Sequence, residues 1–272
     1  MNAVAAAEGG QQGRKRLKRD VIKLGETEVE IHEEGSGKPV LFLHGAGGFN
    51  PKEPHVPLIA QHRRIICPSH PGFGKSALPD WVDNVDDIAH MYLDLMDQYG
   101  IAKADIIGCS MGGWITAEIL TKAPERFGKV VLVSPVGVKL GPVDKLDIPD
   151  IYTMSPPDVP KLLYHDPSQF PFDPSKLSDE ELSVIMRNRE STALFVWEPY
   201  MHNPKLPHRL YRVTSPTLFI RGESDGLVSA QYVEGYAKLF KSSRIETIAK
   251  AAHVPHVEQP AAFAKLVNDF LG

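Results

Sequence analysis

The sequence predicts an α/β protein with a mostly parallel central sheet, helices on both faces and an inserted helical segment. Over most of the 272 residues, short apolar runs are followed by stretches in which apolar residues recur at helical spacing. Apolar runs without polar alternation are typical of strands that are covered by helices on both faces of a parallel sheet. One segment, 136–210, breaks this rhythm and is rich in proline.

The predicted strands are short and follow one another along the chain. The first, "VEIHEE", is predicted to be antiparallel to its neighbour, and the second, "KPVLFLHG", is a continuous apolar run that ends in glycine, as expected of a central strand. The full set is 29–34, 38–45, the apolar start of 63–76, 104–109, 129–135, 216–222 and 244–249.

The predicted helices are 85–100, 114–123, 178–197 and 260–272. Gly100 stands where a helix stop is expected, and Pro260 stands in the first turn of the last helix. The third helix lies inside the irregular segment. Ser178 is its predicted N-cap, and Glu181 three residues later completes the pattern of a capping box.

The chain is predicted to divide into three parts. Residues 1–20, with small and polar residues before a basic run at 14–19, are predicted to be a disordered tail. Residues 21–135 and 211–272 form the sheet domain. Residues 136–210, where the alternation of strands and helices stops, are predicted to be a lid inserted into that domain.

Composition excludes several classes of partner. Lys and Arg total 30 against 34 Asp and Glu, a net charge of −4, which gives no reason to expect nucleic acid or an anionic membrane. No apolar run approaches the roughly 20 residues of a membrane span. Cys67 and Cys109 end apolar runs, which favours free thiols and a cytoplasmic location over a disulfide framework. The sequence leaves open whether the chain forms a homodimer.

One motif carries the chemistry. Gly108-Cys109-Ser110-Met111-Gly112 is G-x-S-x-G, placed between a predicted strand and a predicted helix. In that context a tight, strained turn presents the serine hydroxyl at the end of the sheet, and the glycines avoid collisions with neighbouring backbone. The turn also exposes N–H groups at a helix N-terminus, where a developing negative charge is stabilised.

A serine hydroxyl needs a base to become a nucleophile, and the base needs an orienting acid. Glu223 and Asp225 follow the strand 216–222, and His253 follows the strand 244–249. The carboxyl ends of parallel strands share one edge of a sheet, so these side chains are expected to meet Ser110 there.

Five segments together resemble the α/β-hydrolase superfamily over roughly residues 25–272. They are "HGAGG" (44–48), "HPGFGKS" (70–76), "GCSMGG" (108–113), "GESDGLV" (222–228) and "AAHVPHVEQP" (251–260). The resemblance implies the α/β-hydrolase fold, a serine nucleophile and a catalytic triad, with no metal and no organic cofactor. It says little about the substrate.

Carried over by residue, the resemblance implies Ser110 as nucleophile, Asp225 as acid and His253 as base. It selects Asp225 over Glu223, because the family places its carboxylate three residues after the strand-ending glycine. It selects His253 over His256, because only the former opens the H-x-x-x-x-E-x-P pattern. His256 is expected to be a surface or lid-facing histidine.

The resemblance also implies an oxyanion hole formed by the backbone N–H groups of Ala46 and Met111, with two fixed donors for a tetrahedral oxyanion. Gly47 is expected to keep the loop open to substrate. Trp114 and Trp197 are predicted to line the substrate pocket, although aromatic residues here could equally pack the lid against the core.

Two positions depart from the family pattern. The usual aspartate before the P-G-F-G turn is Ser69, which removes a carboxylate that braces the loop, and the usual glycine before the histidine is Ala252. Neither residue touches a reacting atom. His44 is expected to brace the H-G-x-G loop by hydrogen bonds rather than to act as a base.

The expected activity is hydrolysis of a small, largely apolar carboxylic ester through an acyl-enzyme, as in carboxylesterases. The alternatives are a carbon–carbon hydrolase of the meta-cleavage type, a perhydrolase, or a small-molecule receptor on the same fold. Val254 stands where meta-cleavage relatives usually carry tryptophan. Arg187 and Arg189 on the lid helix could bind a substrate carboxylate or form a solvated helix face.

Overall fold

A computed structural model describes residues 18–272, and its eight strands form one sheet in the order β1-β2-β4-β3-β5-β6-β7-β8. β2 pairs antiparallel with β1 and β4, and every other pairing is parallel. The predicted α/β architecture is therefore confirmed, as is the antiparallel pairing of the predicted strand 29–34, which lies in β2. The strands are β1 (Lys18–Leu24), β2 (Thr27–Glu34), β3 (Pro39–Leu43), β4 (Arg64–Pro68), β5 (Ala104–Cys109), β6 (Phe127–Val133), β7 (Thr217–Gly222) and β8 (Ser243–Ile248).

β1 corrects the predicted boundary of the tail. Residues 18–20 belong to this strand, in which Lys18 lies opposite Glu33 and Asp20 lies opposite Ile31. β1 is an edge strand with the sequence KRDVIKL. Charged residues are typical of sheet edges, because they discourage pairing with another chain, but they leave no apolar run from which to predict a strand. Residues 1–17 of the predicted tail lie outside the described residues.

The helices are α1 (His55–Ala60), α2 (Val85–Gln98), α3 (Met111–Lys122), α4 (Val159–Leu163), α5 (Asp179–Val196), α6 (Ala230–Ala237), α7 (Pro255–Glu258) and α8 (Pro260–Leu271). Four of them, α2, α3, α5 and α8, match the four predicted helices. The capping box of α5 is present, with Ser178 and Glu181 exchanging hydrogen bonds. Across residues 18–272, none of the helices is both long and apolar enough to cross a membrane.

Two hydrophobic layers sandwich the sheet. The helices α2, α3 and α6 contribute to one layer, and α1 and α8 contribute to the other. All six residues of β5 are buried. Within this strand, the consecutive residues Ile106 and Ile107 belong to opposite layers. Full burial on both faces explains why the central strands are continuous apolar runs.

The segment between β6 and β7 contains α4, α5 and short 3₁₀ turns, and its residues 136–210 form no strand beyond a single β-bridge between Gly137 and His202. It follows the carboxyl end of β6. The strands β3, β5, β7 and β8 are parallel to β6 and end at this same edge. Loops that follow parallel strands meet at such an edge. The fold therefore gathers the predicted site residues beside the segment 136–210, the insertion.

Candidate active site

Ser110 lies in a strained turn between β5 and α3, with φ 51° and ψ −114°. Its N–H donates to the carbonyl of Val133 at 2.8 Å, which ties the turn to the neighbouring strand. A Cβ at Gly108 would lie 2.4 Å from the carbonyl oxygen of Gly112, and one at Gly112 would lie 2.2 Å from that of Leu43. These positions therefore need glycine, for the steric reason that the motif predicted.

The structure brings the three predicted triad side chains together in a row. The Nε2 atom of His253 lies 2.9 Å from the hydroxyl oxygen of Ser110, and its Nδ1 atom lies 3.2 Å from Oδ2 of Asp225. Asp225 and His253 are buried, whereas Ser110 is partly exposed. A substrate can therefore approach the hydroxyl while the groups behind it are shielded from water.

Asp225 is held as a carboxylate. Burial works against its charged form, but electrostatic attraction to the His253 imidazole, the hydrogen bond from its ring and the amide of Val228 outweigh burial and keep the pKa of Asp225 below its usual range. Its Oδ1 atom accepts from the amides of Leu227 at 3.0 Å and Val228 at 2.8 Å. An ionised acceptor at this place keeps the proton on Nδ1 of His253 and leaves Nε2 free to accept the serine proton.

The two competing residues lie elsewhere. Glu223 is exposed, and its carboxylate accepts from the amide of Lys250 at 3.3 Å. His256 is buried, which corrects the expectation of a surface or lid-facing histidine. It packs edge-on against His55, with ring centroids 5.1 Å apart, because the short helix α7 places it against Phe263 in the hydrophobic layer that contains α1 and α8. Burial, together with the neighbouring histidine rings, holds its pKa well below the usual range.

The predicted oxyanion loop, residues 44–48, lies beside the nucleophile. A Cβ at Gly45 would be 3.3 Å from that of Ser110, and Gly48 closes a turn by donating to the carbonyl of Gly45 at 3.1 Å. Within residues 18–272, neither the Ala46 nor the Met111 amide donates a hydrogen bond to another residue. Met111 opens α3, where the first N–H groups lack intrahelical acceptors.

His44 braces this loop, as expected. Burial lowers its pKa to about 4, so the ring is neutral. Its Nδ1 atom donates to the carbonyl of Gly45 at 2.7 Å, and its Nε2 atom accepts from the amide of His70 at 3.0 Å. The ring of His70 returns a hydrogen bond to the carbonyl of His44 at 2.8 Å and also bonds the hydroxyl of Tyr92.

The loop that contains Ser69 is still braced by a carboxylate, which Glu30 supplies. Glu30, on β2, is buried and accepts from the hydroxyl of Ser69 and from the amide of Lys75, both at 3.0 Å. Burial opposes its charge, but the nearby His32 ring and these hydrogen bonds, together with one from Arg19, lower the pKa of Glu30 to about 2. Sequence reasoning missed this residue. A glutamate at an inward position of a strand was the available signal, because a buried charge requires partners.

The predicted pocket residues occupy different environments. Gly47 faces open space, since no heavy atom lies within 4 Å of where its Cβ would be. The indole of Trp114 is buried and donates to Glu118 at 3.2 Å. Trp197 is 56% exposed and packs edge-on against Tyr152, with ring centroids 6.0 Å apart. The lining roles of Trp114 and Trp197 stay predictions.

Cys67 and Cys109 are free and buried, as expected. Burial raises the pKa of both thiols well above the usual value, because the charged form would lose its solvation. Cys109 directly precedes the nucleophile, but its side chain belongs to the hydrophobic layer that contains α1 and α8. A thiol held neutral in an apolar layer is a packing group rather than a nucleophile.

Fold and site together define a hydrolase of the α/β type. The chain belongs to the alpha/beta hydrolase family, whose sequence profile matches residues 40–266. It is 26% identical over 269 residues to 2-hydroxy-6-oxo-2,4-heptadienoate hydrolase from Pseudomonas putida, covering 92% of this chain and 95% of that one. It is 28% identical over 275 residues to 2-hydroxymuconate semialdehyde hydrolase from Pseudomonas sp. strain CF600, covering 93% of each chain.

A solved structure shares the fold. It is that of 2-hydroxy-6-oxo-6-phenylhexa-2,4-dienoate hydrolase from Rhodococcus sp. strain RHA1, with a TM-score of 0.74 and 22% identity, over 94% of this chain and 99% of that one.

Proposed function

We propose that this chain is a serine hydrolase that cleaves a small, largely apolar carboxylic ester through an acyl-enzyme. One observation carries the proposal. The hydroxyl of Ser110 lies 2.9 Å from Nε2 of His253, whose other ring nitrogen faces the buried carboxylate of Asp225. A hydrogen-bonded base that is oriented by an ionised acid is the arrangement that turns a serine into a nucleophile.

In the first half of the reaction, the Ser110 oxygen bonds to the ester carbonyl carbon while Nε2 of His253 takes the hydroxyl proton. The tetrahedral oxyanion receives the N–H groups of Ala46 and Met111. The carbon–oxygen ester bond then breaks, and the alcohol departs with the proton from Nε2. In the second half, a water attacks the acyl group, gives its proton to Nε2, and the serine oxygen leaves with that proton as the acid is released.

The contacts made by the two arginines of α5 favour a substrate whose acyl group is uncharged. Arg187 donates to the carbonyls of Gly74 at 3.3 Å and Ser76 at 2.6 Å. Arg189 lies over the ring of Tyr152, 5.8 Å from its centroid. These are the only two basic residues of α5, and both are engaged. A carboxylate-bearing substrate would have to compete with these contacts for either guanidinium.

A second candidate is hydrolysis of a carbon–carbon bond next to a ketone. It is favoured by the two relatives described above, which span nearly the whole chain and are named for a dienoate and a semialdehyde substrate. The same serine would attack the ketone carbon, and His253 would protonate the departing carbon as the carbon–carbon bond breaks.

A substrate panel separates the two candidates. Short and long nitrophenyl esters, lactones and a ring-cleavage dienone would be offered to the wild type and to Ser110→Ala. We expect a burst of nitrophenol followed by steady turnover of the short esters, absent in the variant. Faster turnover of the dienone would replace the ester proposal with the carbon–carbon one. Failure to turn over any of them would contradict both.

A further inference from the structure

One face of α5 carries buried polar side chains. Asn188, Ser191 and Thr192 lie at positions i, i+3 and i+4, which share a helix face, and each is at most 6% exposed. The hydroxyl of Thr192 faces two carbonyls, that of Ala46 at 3.1 Å and that of Asn188 at 2.7 Å, and its one proton is donated to one of them at a time. Ser191 donates to the carbonyl of Gly72 at 2.9 Å. This polar face therefore packs on two loops of the sheet domain rather than on solvent.

Asn188 bridges the two loops. Its Nδ2 atom donates to the carbonyl of Gly47 at 2.9 Å, and its Oδ1 atom accepts from the amide of Gly74 at 3.0 Å. A carbonyl needs a donor and an amide needs an acceptor, so the orientation of the side-chain amide is fixed by its partners. A Cβ at Gly48, which has φ +86°, would lie 2.3 Å from Nδ2 of Asn188, so only glycine permits this approach.

These contacts add to a row of hydrogen bonds that hold the backbone carbonyls of the oxyanion loop. The carbonyls of residues 44, 45 and 47 accept hydrogen bonds from the ring of His70, from His44 and Gly48, and from Asn188, and the carbonyl of residue 46 faces the hydroxyl of Thr192 at 3.1 Å. In a planar trans peptide the C=O and the next N–H point in opposite directions. Fixing the carbonyl of residue 45 therefore fixes the direction of the Ala46 N–H, and α5 holds the two peptides that follow.

We infer that Asn188 is a positioning residue for the oxyanion hole, through which the insertion sets the rate of the reaction. This inference rests on the proposed function, because it assigns the oxyanion to the Ala46 N–H. Removing one oxyanion donor outright costs about 10²–10³ in turnover. Asn188 bonds the 47–48 peptide, two peptides beyond the one that carries the Ala46 N–H. Loosening the loop at that point is expected to cost less, roughly 10-fold to 100-fold in kcat, with little change in KM.

The test is Asn188→Asp, which keeps the shape of the side chain but sets a carboxylate oxygen against the carbonyl of Gly47. The facing carbonyl raises the pKa of the new carboxyl, and protonation restores a donor. We expect the ratio of the variant's kcat to that of the wild type, on a nitrophenyl ester, to rise as the pH falls from 8 to 5.5. A purely structural role would lower the melting temperature without this pH-dependent recovery.

A matched control is Asn268→Asp in α8, where Nδ2 of Asn268 also donates to a backbone carbonyl, that of Leu58, at 3.2 Å. It is expected to leave kcat at the wild-type value. Should Asn188→Asp not fold, the pair Thr192→Val and Thr192→Ser decides. Valine removes the donor to Ala46 and is expected to lower kcat, while serine keeps the donor and is expected to restore it.

The proposed function and the positioning role of Asn188 are tested separately. If the wild type turns over neither esters nor a dienone, the proposed function is wrong. If the wild type is active and Asn188→Asp, or the valine variant in its place, has unchanged kcat at every pH, the positioning role is wrong while the proposed function stands.

Discussion

The backbone of Leu163 holds the backbone of His253: its carbonyl oxygen accepts from the His253 N–H at 3.0 Å. One residue earlier, the carbonyl of Leu162 accepts from the amide of Gly226 at 3.1 Å. The end of α4 is thus bonded both to the loop that carries the base and to the loop that carries the acid. The insertion therefore contributes directly to the spacing of the imidazole and the carboxylate.

Glu258 adds a second bridge between the same parts, which leads to a first prediction. Its carboxylate accepts from the amide of His165 at 2.7 Å and from that of Ala252 at 2.6 Å. Glu258→Gln keeps one acceptor and sets an NH₂ group against the other amide, so we expect a loss of about 1–3 kcal/mol in the free energy of unfolding and a lower kcat. Urea unfolding and ester kinetics measure both.

The control for Glu258→Gln is Glu246→Gln on β8. Glu246 is partly exposed and lies 3.8 Å from Arg244, so its loss is expected to cost less than about 1 kcal/mol. If the two variants behave alike, the bridge has no part in holding the base.

Ser110→Ala is expected to fold and to lose nearly all turnover, on the order of 10⁶-fold by comparison with other serine triads. The hydroxyl is the only atom removed, and its sole described side-chain partner is His253. A fluorophosphonate probe followed by peptide mass spectrometry should label Ser110 in the wild type and nothing in the variant. Residual activity near the wild-type level would remove Ser110 from the mechanism.

Asp225→Asn is expected to lower kcat by about 10⁴-fold, because an amide in this place favours the wrong tautomer of His253. Glu223→Gln is the matched variant, since Glu223 is exposed and bonds only weakly to a backbone amide at 3.3 Å. It should retain turnover close to that of the wild type. Steady-state kinetics of both variants would assign the acid, and the reverse order of effects would move that role to Glu223.

The buried carboxyl of Glu53 is expected to make the free energy of unfolding depend on pH. Burial raises the pKa of Glu53 to about 7, well above its usual 4.5. His55, 3.5 Å away, offers no compensating charge, because burial lowers the pKa of that ring to about 3. Between pH 4.5 and 7 the folded state binds a proton that the unfolded state has lost, so ionisation of Glu53 removes stability as the pH rises through this window.

Glu53→Gln abolishes that ionisation. We expect the variant to gain stability relative to the wild type as the pH rises from 5 to 8, by the order of 1–3 kcal/mol at the upper end. Urea unfolding at four pH values measures the difference. Parallel stability curves for the two proteins would show that the carboxyl of Glu53 titrates normally.

The sequence predicted what depends on local pattern and chain order. The buried strands, the glycines around Ser110 and the meeting of Asp225 and His253 all follow from such signals, because loops after parallel strands share an edge. Contacts between distant segments leave no such signal. The bridge made by Asn188 joins residues more than a hundred positions apart, and nothing in the local sequence of α5 names its partners.

The same limit explains the two corrections. β1 is an edge strand whose charges hide it from a search for apolar runs. His256 is polar by type, but α7 packs it among aromatic rings. Glu30 is the converse case, in which a carboxylate from β2 occupies the place that the family pattern assigns to residue 69. In each of these cases tertiary packing decided the outcome.

The backbone at Ser110 has a consequence for how this protein could change. A side chain at φ 51° costs about 1–3 kcal/mol, and glycine tolerates such torsions far better. Ser110→Gly should therefore melt at a higher temperature than the wild type while being inert. Selection for thermal robustness alone would drive this position towards glycine, so only a demand for turnover would keep a hydroxyl there.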